Sequence, residues 1–460
     1  MTTGNLFQDD VVDNSAELII RLTKCANSIF LKKLALNDWQ WTEDPDKHQD
    51  GAYIFKTERD SGFFPPLTPA KIKPGGKPIF EALFNISWPA LDCPIVKEAR
   101  LVNWRSKDEE THLTRVAREA FAGLNPASLL LIAKTGVGAD AQYSATTVDS
   151  SSSGYRYIVD LFDLPPQFCS GIFEPERVIR TQQEKLFEFI GKALSAFQAG
   201  EIRAFALSHL SIPKPREMAR LAQEEYQALH GNIDFNPFKM KAPGDAVLDI
   251  SRGLEYEIFK SFEIRRRSME LVQLILGTDP DAISINQVLM NIVTEFSQID
   301  GILLSAAQTR KSRAGASFEL HIERMLADGG IPHEVQVVAD AKKRPDFVLP
   351  SFAKYIDPLR DRDGALVLSA KTTLRERWKQ VHGEMRNCDL FLATVDESIA
   401  ENAIKDMARQ GIILVVPESL KKSDTTVYKL QPNVISFKTF FEEELRSKRM
   451  GIWRGDQVVS

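Results

Sequence analysis

Two stretches, KRPDFVLP (343–350) and GALVLSAK (364–371), decide how this chain is read. Each contains a short apolar run bounded by Pro, Gly or charge, the pattern of a strand buried on both faces. The text around them alternates. SFELHIERML (317–326) reads as a helix and VQVVA (335–339) as a strand. A helix follows Lys371, then DLFLATV (389–395), another helix and GIILVVP (411–417). Such alternation predicts an α/β sheet domain. Within it, Asp346 opens one strand and Lys371 ends another, 25 residues later.

A carboxylate and a lysine at neighbouring strand ends are the ingredients of a metal-dependent nuclease. The carboxylate holds Mg²⁺, the lysine orients or deprotonates water, and the metal offsets charge on the phosphate. The second acid expected two residues before the lysine is absent, because that position is Ser369. The helix TLRERWKQVHGEMRN (373–387) offers a replacement in Glu384. It lies 13 residues beyond Lys371, about three and a half helical turns along. Read alone, Glu384 is a solvated helix acid. Arg375, Glu376 and Arg377 open the same helix. Arginine can bind guanine O6 and N7 bidentately, and glutamate can accept from cytosine N4, so the trio suits G·C pairs. Its plain alternative is a charged first turn with weak local ion pairs.

Composition bounds the rest. The 460 residues, 43% hydrophobic and 26% charged, describe a globular chain of two or three domains. Lys and Arg number 58 against 63 Asp and Glu, a formal charge of −5. That argues against a polybasic DNA coat but not against a nucleic-acid enzyme with a local basic surface. Residues 301–390 hold 15 Lys and Arg against 12 Asp and Glu. Cys25, Cys93, Cys169 and Cys388 form no CxxC pair, and the seven histidines show no HExxH spacing. Structural zinc, a disulfide framework and a zinc hydrolase are therefore disfavoured. With no signal peptide and no membrane-length apolar run, a cytoplasmic location is expected.

The first third reads differently. Residues 15–36 predict a helix. AYIFKTE (52–58), EALFNISWPA (81–90), ARLVNW (99–104), ASLLLIAK (127–134) and YRYIVDLFDL (155–164) read as strands of a β-rich domain. TGVGAD (135–140) lacks the GK[ST] ending of a phosphate loop and reads as a turn. Ser150–Ser153 is expected to be a mobile loop. From Glu174 the pattern turns helical, with SIPKPRE (211–217) as a linker and GLEYEIFKSFEIRRRSMELVQLIL (253–276) as a long helix. No internal repeat occurs.

Taken together, TRKSRAGASFELHIERML (309–326), KRPDFVLPS (343–351), LSAKTTLRERW (368–378) and GIILVVPESL (411–420) closely resemble the catalytic domain of EcoRII-type (type IIE) restriction endonucleases. These are PD-(D/E)xK nucleases that act on CCGG-like and CC-x-GG sites. The resemblance implies catalytic roles for Glu319, Asp346, Lys371 and Glu384, with Mg²⁺ held by Asp346 and Glu384. It places base reading on Arg375, Glu376 and Arg377. Arg310, Lys311 and Arg313, just ahead of the Glu319 helix, suit phosphate contacts. FLKKLALND (30–38), KHQDGAYI (47–54), DCPIVKEAR (92–100) and LTRV (113–116) resemble more loosely the family's N-terminal DNA-binding pseudobarrel, and together with YEIFKSFE (256–263) they extend the likeness over most of the chain. By that likeness Lys33, His48, Tyr53, Arg105 and Arg115 contact DNA.

The expected organisation is an α+β/α/β multidomain chain. It has an effector pseudobarrel at 1–180, a helical linker at 181–211 and a restriction-endonuclease-like catalytic domain at 212–460. The expected partners are double-stranded DNA, a second copy in a homodimer, and a cognate DNA cytosine methyltransferase. A second DNA copy on the first domain is expected to relieve autoinhibition. Two other readings stay open: a structure-specific or repair metal nuclease on the same scaffold, and a non-enzymatic DNA-binding regulator. Arg252 and Tyr256 are candidates for a base-flipping pocket, with a core tyrosine as the plain alternative.

Overall fold

The computed structural model describes residues 14–43, 50–70, 78–104, 110–209, 211–276, 284–296, 298–299, 317–336, 345–374, 378–381 and 385–455. The chain divides into two compact units. One comprises Met1–Gln182 with Asp424–Val427, and the other Gln183–Ser423 with Tyr428–Ser460. No helix among the described residues is long and apolar enough to cross a membrane.

The first unit is built on a nine-stranded sheet. Its path runs Ala52–Ile54, Glu110–Thr114, Ile95–Trp104, Ile79–Trp88, Gln142–Val148, Leu129–Thr135, Ser28–Lys33, Ser170–Phe173, and Thr68–Pro69 pairs with Ile79–Trp88. All the pairings are antiparallel except a brief parallel contact at Ile86–Tyr143 and Ser87–Ser144. Strand side chains alternate between faces, and the buried residues follow. Phe30, Leu130 and Ile132 enter a core with Trp39, Trp41, Phe63, Phe64, Trp88 and Phe121. Ile29, Leu31, Leu129 and Leu131 enter another with Ile19, Ile158 and Phe162.

Four expectations here are corrected. The first helix is Asn14–Cys25 only, because Ser28–Lys33 is a central strand paired on both sides. YRYIVDLFDL is mainly helical, within Ser153–Phe162. Its aromatic and β-branched residues favour strands, but Ile158 and Phe162 recur at helical spacing and pack into the second core. Ser150–Ser153 is a capped corner rather than a loose loop. Ser152 accepts the Tyr155 N–H at 3.1 Å as N-cap, and the Ser151 backbone and hydroxyl both donate to Asp149. AYIFKTE is a strand only at Ala52–Ile54, after which Lys56–Arg59 is helical. TGVGAD is the expected turn. Gly136 sits at φ +70°, where a Cβ would meet the Asp140 carbonyl at 2.6 Å.

In the second unit, Glu334–Val335, Phe347–Leu349, Leu366–Ala370, Asp389–Ala393, Ile412–Val416 and Val434–Ser436 form a six-stranded sheet in chain order. The first two junctions are antiparallel and the last three parallel. Every residue of Leu366–Ala370 is buried. Covering each large apolar side chain there contributes about 1.5–3 kcal/mol, which anchors the residues at both strand ends. Helix Glu401–Arg409 connects two parallel strands, with Ile404 and Met407 buried. Helices Pro215–Leu229 and Glu255–Leu276 and the helical stretch 317–328 belong to the same unit. Phe189 of helix Pro175–Gln198 packs with Met269, Ile202 and Phe205.

Candidate active site

Antiparallel pairing of Phe347–Leu349 with Leu366–Ala370 sets Phe347 opposite Leu368. Asp346 therefore emerges beside the end of the strand that leads into Lys371. Its Oδ2 accepts the Ala370 N–H at 2.8 Å and the Lys371 ammonium at 2.5 Å. The Lys371 backbone N–H in turn donates to Ala393 O at 3.0 Å, so the lysine is still held by the sheet. Both side chains of the pair keep some exposure, 27% for Lys371 and 13% for Asp346. Ser369, in the place of the second acid, is buried.

Glu319 reaches the same spot from the helical stretch 317–328. Gln336 Nε2 donates to its Oε2 at 3.2 Å, and the Gln336 backbone N–H donates to Asp346 O at 3.0 Å. Gln336 can make both bonds because its backbone turns left-handed, at φ +47°. Burial pushes the Glu319 carboxyl above the usual range, and the Asp346 charge adds to the rise. The Gln336 hydrogen bond and Lys371 work the other way.

A second set of bonds holds the helix itself. His321 is buried, with Nε2 at 2.7 Å from Glu255 Oε2 and Nδ1 at 3.0 Å from Gln223 Nε2. If Gln223 donates to Nδ1, the remaining ring N–H donates to Glu255, which fixes the tautomer. This chain ties the Glu319 helix to Pro215–Leu229 and Glu255–Leu276.

The structure thus brings Glu319, Asp346 and Lys371 together. Glu384, Arg375, Glu376, Arg377, Arg310, Lys311 and Arg313 lie outside the described residues, as do His48 and Arg105 of the first unit. Lys33 is buried at 7% exposure, and its ammonium donates to Pro166 O at 3.1 Å. Tyr53 is half-buried, edge-on to Phe55 and His112. Arg115 is exposed, sits at φ +57° and pairs with Glu98 at 3.1 Å. Arg252 lies 3.6 Å from Glu397 on the irregular turn Asp249–Leu254 that leads into the long helix.

Sequence reading missed Gln336, Gln223, His321 and Glu255. The one signal for Gln336 was a polar residue inside the apolar VQVVA run. Among the described residues no group of three or more His, Cys, Asp or Glu is placed to hold a metal. Mg²⁺ needs less than that from protein, since it keeps several waters and takes one or two carboxylates. Asp346, with Glu319 close enough to feel its charge, is a hard-oxygen donor set that fits such an ion.

Residues 282–441 match the family described as EcoRII C terminal. The type II restriction enzyme EcoRII of Escherichia coli is 29% identical over 216 residues, which are 46% of this chain and 46% of that protein. The type II restriction enzyme SsoII of Shigella sonnei is 30% identical over 164 residues, 33% of this chain and 52% of its own. The chain thus spans about half the length of each of these curated relatives. Among solved structures, metal-depleted Ecl18kI in complex with uncleaved DNA aligns with a TM-score of 0.44 and 24% identity, covering 57% of this chain and 87% of that one. The six-stranded mixed sheet and the Glu319, Asp346 and Lys371 cluster fall within or along the matched stretch. Through residues 282–441, with their restriction-endonuclease-like α/β fold, this chain is similar to the EcoRII-type restriction endonucleases.

Proposed function

We propose that the chain is a Mg²⁺-dependent type II restriction endonuclease that hydrolyses double-stranded DNA at a CC-x-GG-like site. What carries the reading is the Asp346–Lys371 pair at adjoining strand ends with Glu319 beside it, inside a stretch matched to the EcoRII C-terminal family. In this reading the Lys371 ammonium donates a hydrogen bond to the attacking water and orients it, and the water's proton passes to solvent. Asp346 keeps the ammonium aimed through the 2.5 Å contact. Water attacks phosphorus opposite the leaving oxygen, so configuration inverts. Mg²⁺, held by Asp346 and Glu384, would supply electrostatic relief for the charge that builds on the phosphate. Glu319 acts beside them through hydrogen bonding. Arg375, Glu376 and Arg377 read G·C pairs, and Arg310, Lys311 and Arg313 contact phosphates.

A homodimer would place one such site on each strand. Helix Ile285–Thr294 favours that assembly: it carries no charged residue and has no buried residue. Ile285, Leu289 and Val293 are 72%, 57% and 74% exposed, and Phe296 just beyond is 66% exposed. An uncharged apolar stripe meets its own copy without like-charge repulsion. The first unit would hold a second DNA copy and thereby relieve autoinhibition. A cognate cytosine methyltransferase would protect the host site.

The test is digestion of a sequenced plasmid with and without Mg²⁺, mapping the ends, then repeating with an added duplex bearing the mapped site. Defined ends that need the metal are expected, with faster cleavage when the duplex is added. Cleavage without sequence preference would favour a structure-specific or repair nuclease. Specific binding without cleavage would favour a regulator.

A further inference from the structure

The loop after strand Asp389–Ala393 is buried yet polar: Thr394, Asp396 and Glu397 are at most 6% exposed. A buried carboxylate is costly unless its oxygens are fully hydrogen-bonded. Asp396 meets that demand in a divided way. Its Oδ1 accepts from its own loop, from the Ser398 N–H at 3.0 Å and the Ser398 hydroxyl at 2.7 Å. Its Oδ2 accepts the backbone N–H of Leu374 at 2.8 Å, 22 residues away in sequence. The residue itself is fixed from behind. Its N–H donates to Thr394 Oγ1 at 3.0 Å, and the buried Tyr428 hydroxyl donates to its carbonyl.

Leu374 is the residue before Arg375, and its side chain is wholly buried. The segment 371–374 is therefore pinned at both ends, by Lys371 N–H to Ala393 O and by Leu374 N–H to Asp396 Oδ2. Both anchors are on one strand and the loop that continues it. The chain entering the base-reading trio is thus registered against the same strand edge that holds the water-directing lysine.

We infer that Asp396 is a positioning residue for sequence discrimination, fixing through the Leu374 N–H the point from which the chain runs on into Arg375, Glu376 and Arg377. This rests on the function proposed above. Asp396 touches neither DNA nor metal in this role. Its effect is on which duplexes are cut, beyond how many molecules are folded.

Asp396→Ala tests it. Alanine has no acceptor, so the Leu374 N–H and Ser398 both lose their partner. The readout is kcat/KM on the mapped site divided by kcat/KM on a site with one G·C pair replaced by A·T. A residue with a merely structural role lowers the active fraction and both rates together, which leaves the ratio unchanged. The inference expects the ratio to fall about tenfold, the order of one base contact. Ser398→Ala, which leaves the Leu374 bond in place, is expected to keep the ratio within about twofold of the original. A folded, cutting Asp396→Ala protein with the original ratio overturns the inference. Hydrogen exchange on the unsubstituted protein gives a second route if that variant does not fold. The Leu374 amide should be strongly protected, and exchange at the rate of an open loop overturns the inference as well. If the unsubstituted protein cuts no DNA with Mg²⁺, the proposed function fails. If it cuts specifically and only the ratio fails to move, the function stands and the role of Asp396 falls.

Discussion

Two clusters of cations and carboxylates sit at opposite ends of the same sheet, and they are built to different standards. At one end, Arg449 is wholly buried. It donates to Glu444 Oε2 at 2.6 Å, to Asp363 Oδ1 at 3.1 Å and to Asp389 Oδ2, at the start of strand Asp389–Ala393. Arg362 adds a fork onto Asp389 Oδ1 at 2.9 and 2.7 Å. At the other end, Asp346 and Lys371 form one pair, partly exposed, with Glu319 nearby in a state that resists ionisation. Charge does not distinguish the two. The first cluster has three carboxylates closed around one buried guanidinium. The second has a lysine and a carboxylate that both keep some exposure. The difference marks which cluster supports the fold and which is left reactive.

The comparison breaks most sharply at Lys371. Lys371→Ala should lower cleavage by about 10²–10³-fold, the range for a lost hydrogen-bond donor at the reacting centre. Specific DNA binding should persist, and the melting temperature should stay near that of the unsubstituted protein. Plasmid cleavage and a gel-shift titration check both halves. Full activity in this variant would remove Lys371 from the mechanism.

Arg449→Ala is expected to do the reverse. It removes the buried guanidinium from Asp363, Asp389 and Glu444 and leaves Asp389 with Arg362 and Glu444 with Lys448, a loss of at most about 3–5 kcal/mol for a broken buried pair. The variant should unfold at lower denaturant, and activity should fall only in proportion to the unfolded fraction. Arg362→Ala removes the outer member of the same cluster. Its side chain is 61% exposed, so screening leaves about 0.2–1 kcal/mol. Denaturant midpoints that ranked Arg362 above Arg449 would refute this account of the cluster.

The reactive end was legible in the sequence for a physical reason. Asp346 and Lys371 are covalently next to apolar strands that can only be buried, so their spacing fixes where they emerge. Gln336, Asp396 and the Gln223–His321–Glu255 chain were not legible. Gln336 depends on a left-handed backbone turn. The others join residues 22, 66 and 98 positions apart through single hydrogen bonds, and local patterning carries no trace of such pairings. In the first unit, the helix Ser153–Phe162 hid behind strand-favouring residues. There tertiary packing of Ile158 and Phe162 outweighed local propensity.

Glu319 gives the finest test, because it should trade stability for reactivity where Arg449 does not. Its carboxyl is pushed up by burial and by Asp346, so the folded protein holds that proton more tightly than the unfolded chain does. Its contribution to stability is therefore present below the ordinary glutamate value, about 4.3. It is lost as pH rises through the raised folded value. Glu319→Gln stays neutral and escapes that loss. In metal-free buffer the variant should match the unsubstituted protein near pH 4 and melt progressively higher above it, until Glu319 is fully ionised. The gap should then level off, while cleavage with Mg²⁺ is impaired. Thermal melts across that pH series check the sign. A gap that shrinks with rising pH would mean that the ionised carboxylate is held by favourable partners, and that this end of the sheet is as well satisfied as the other.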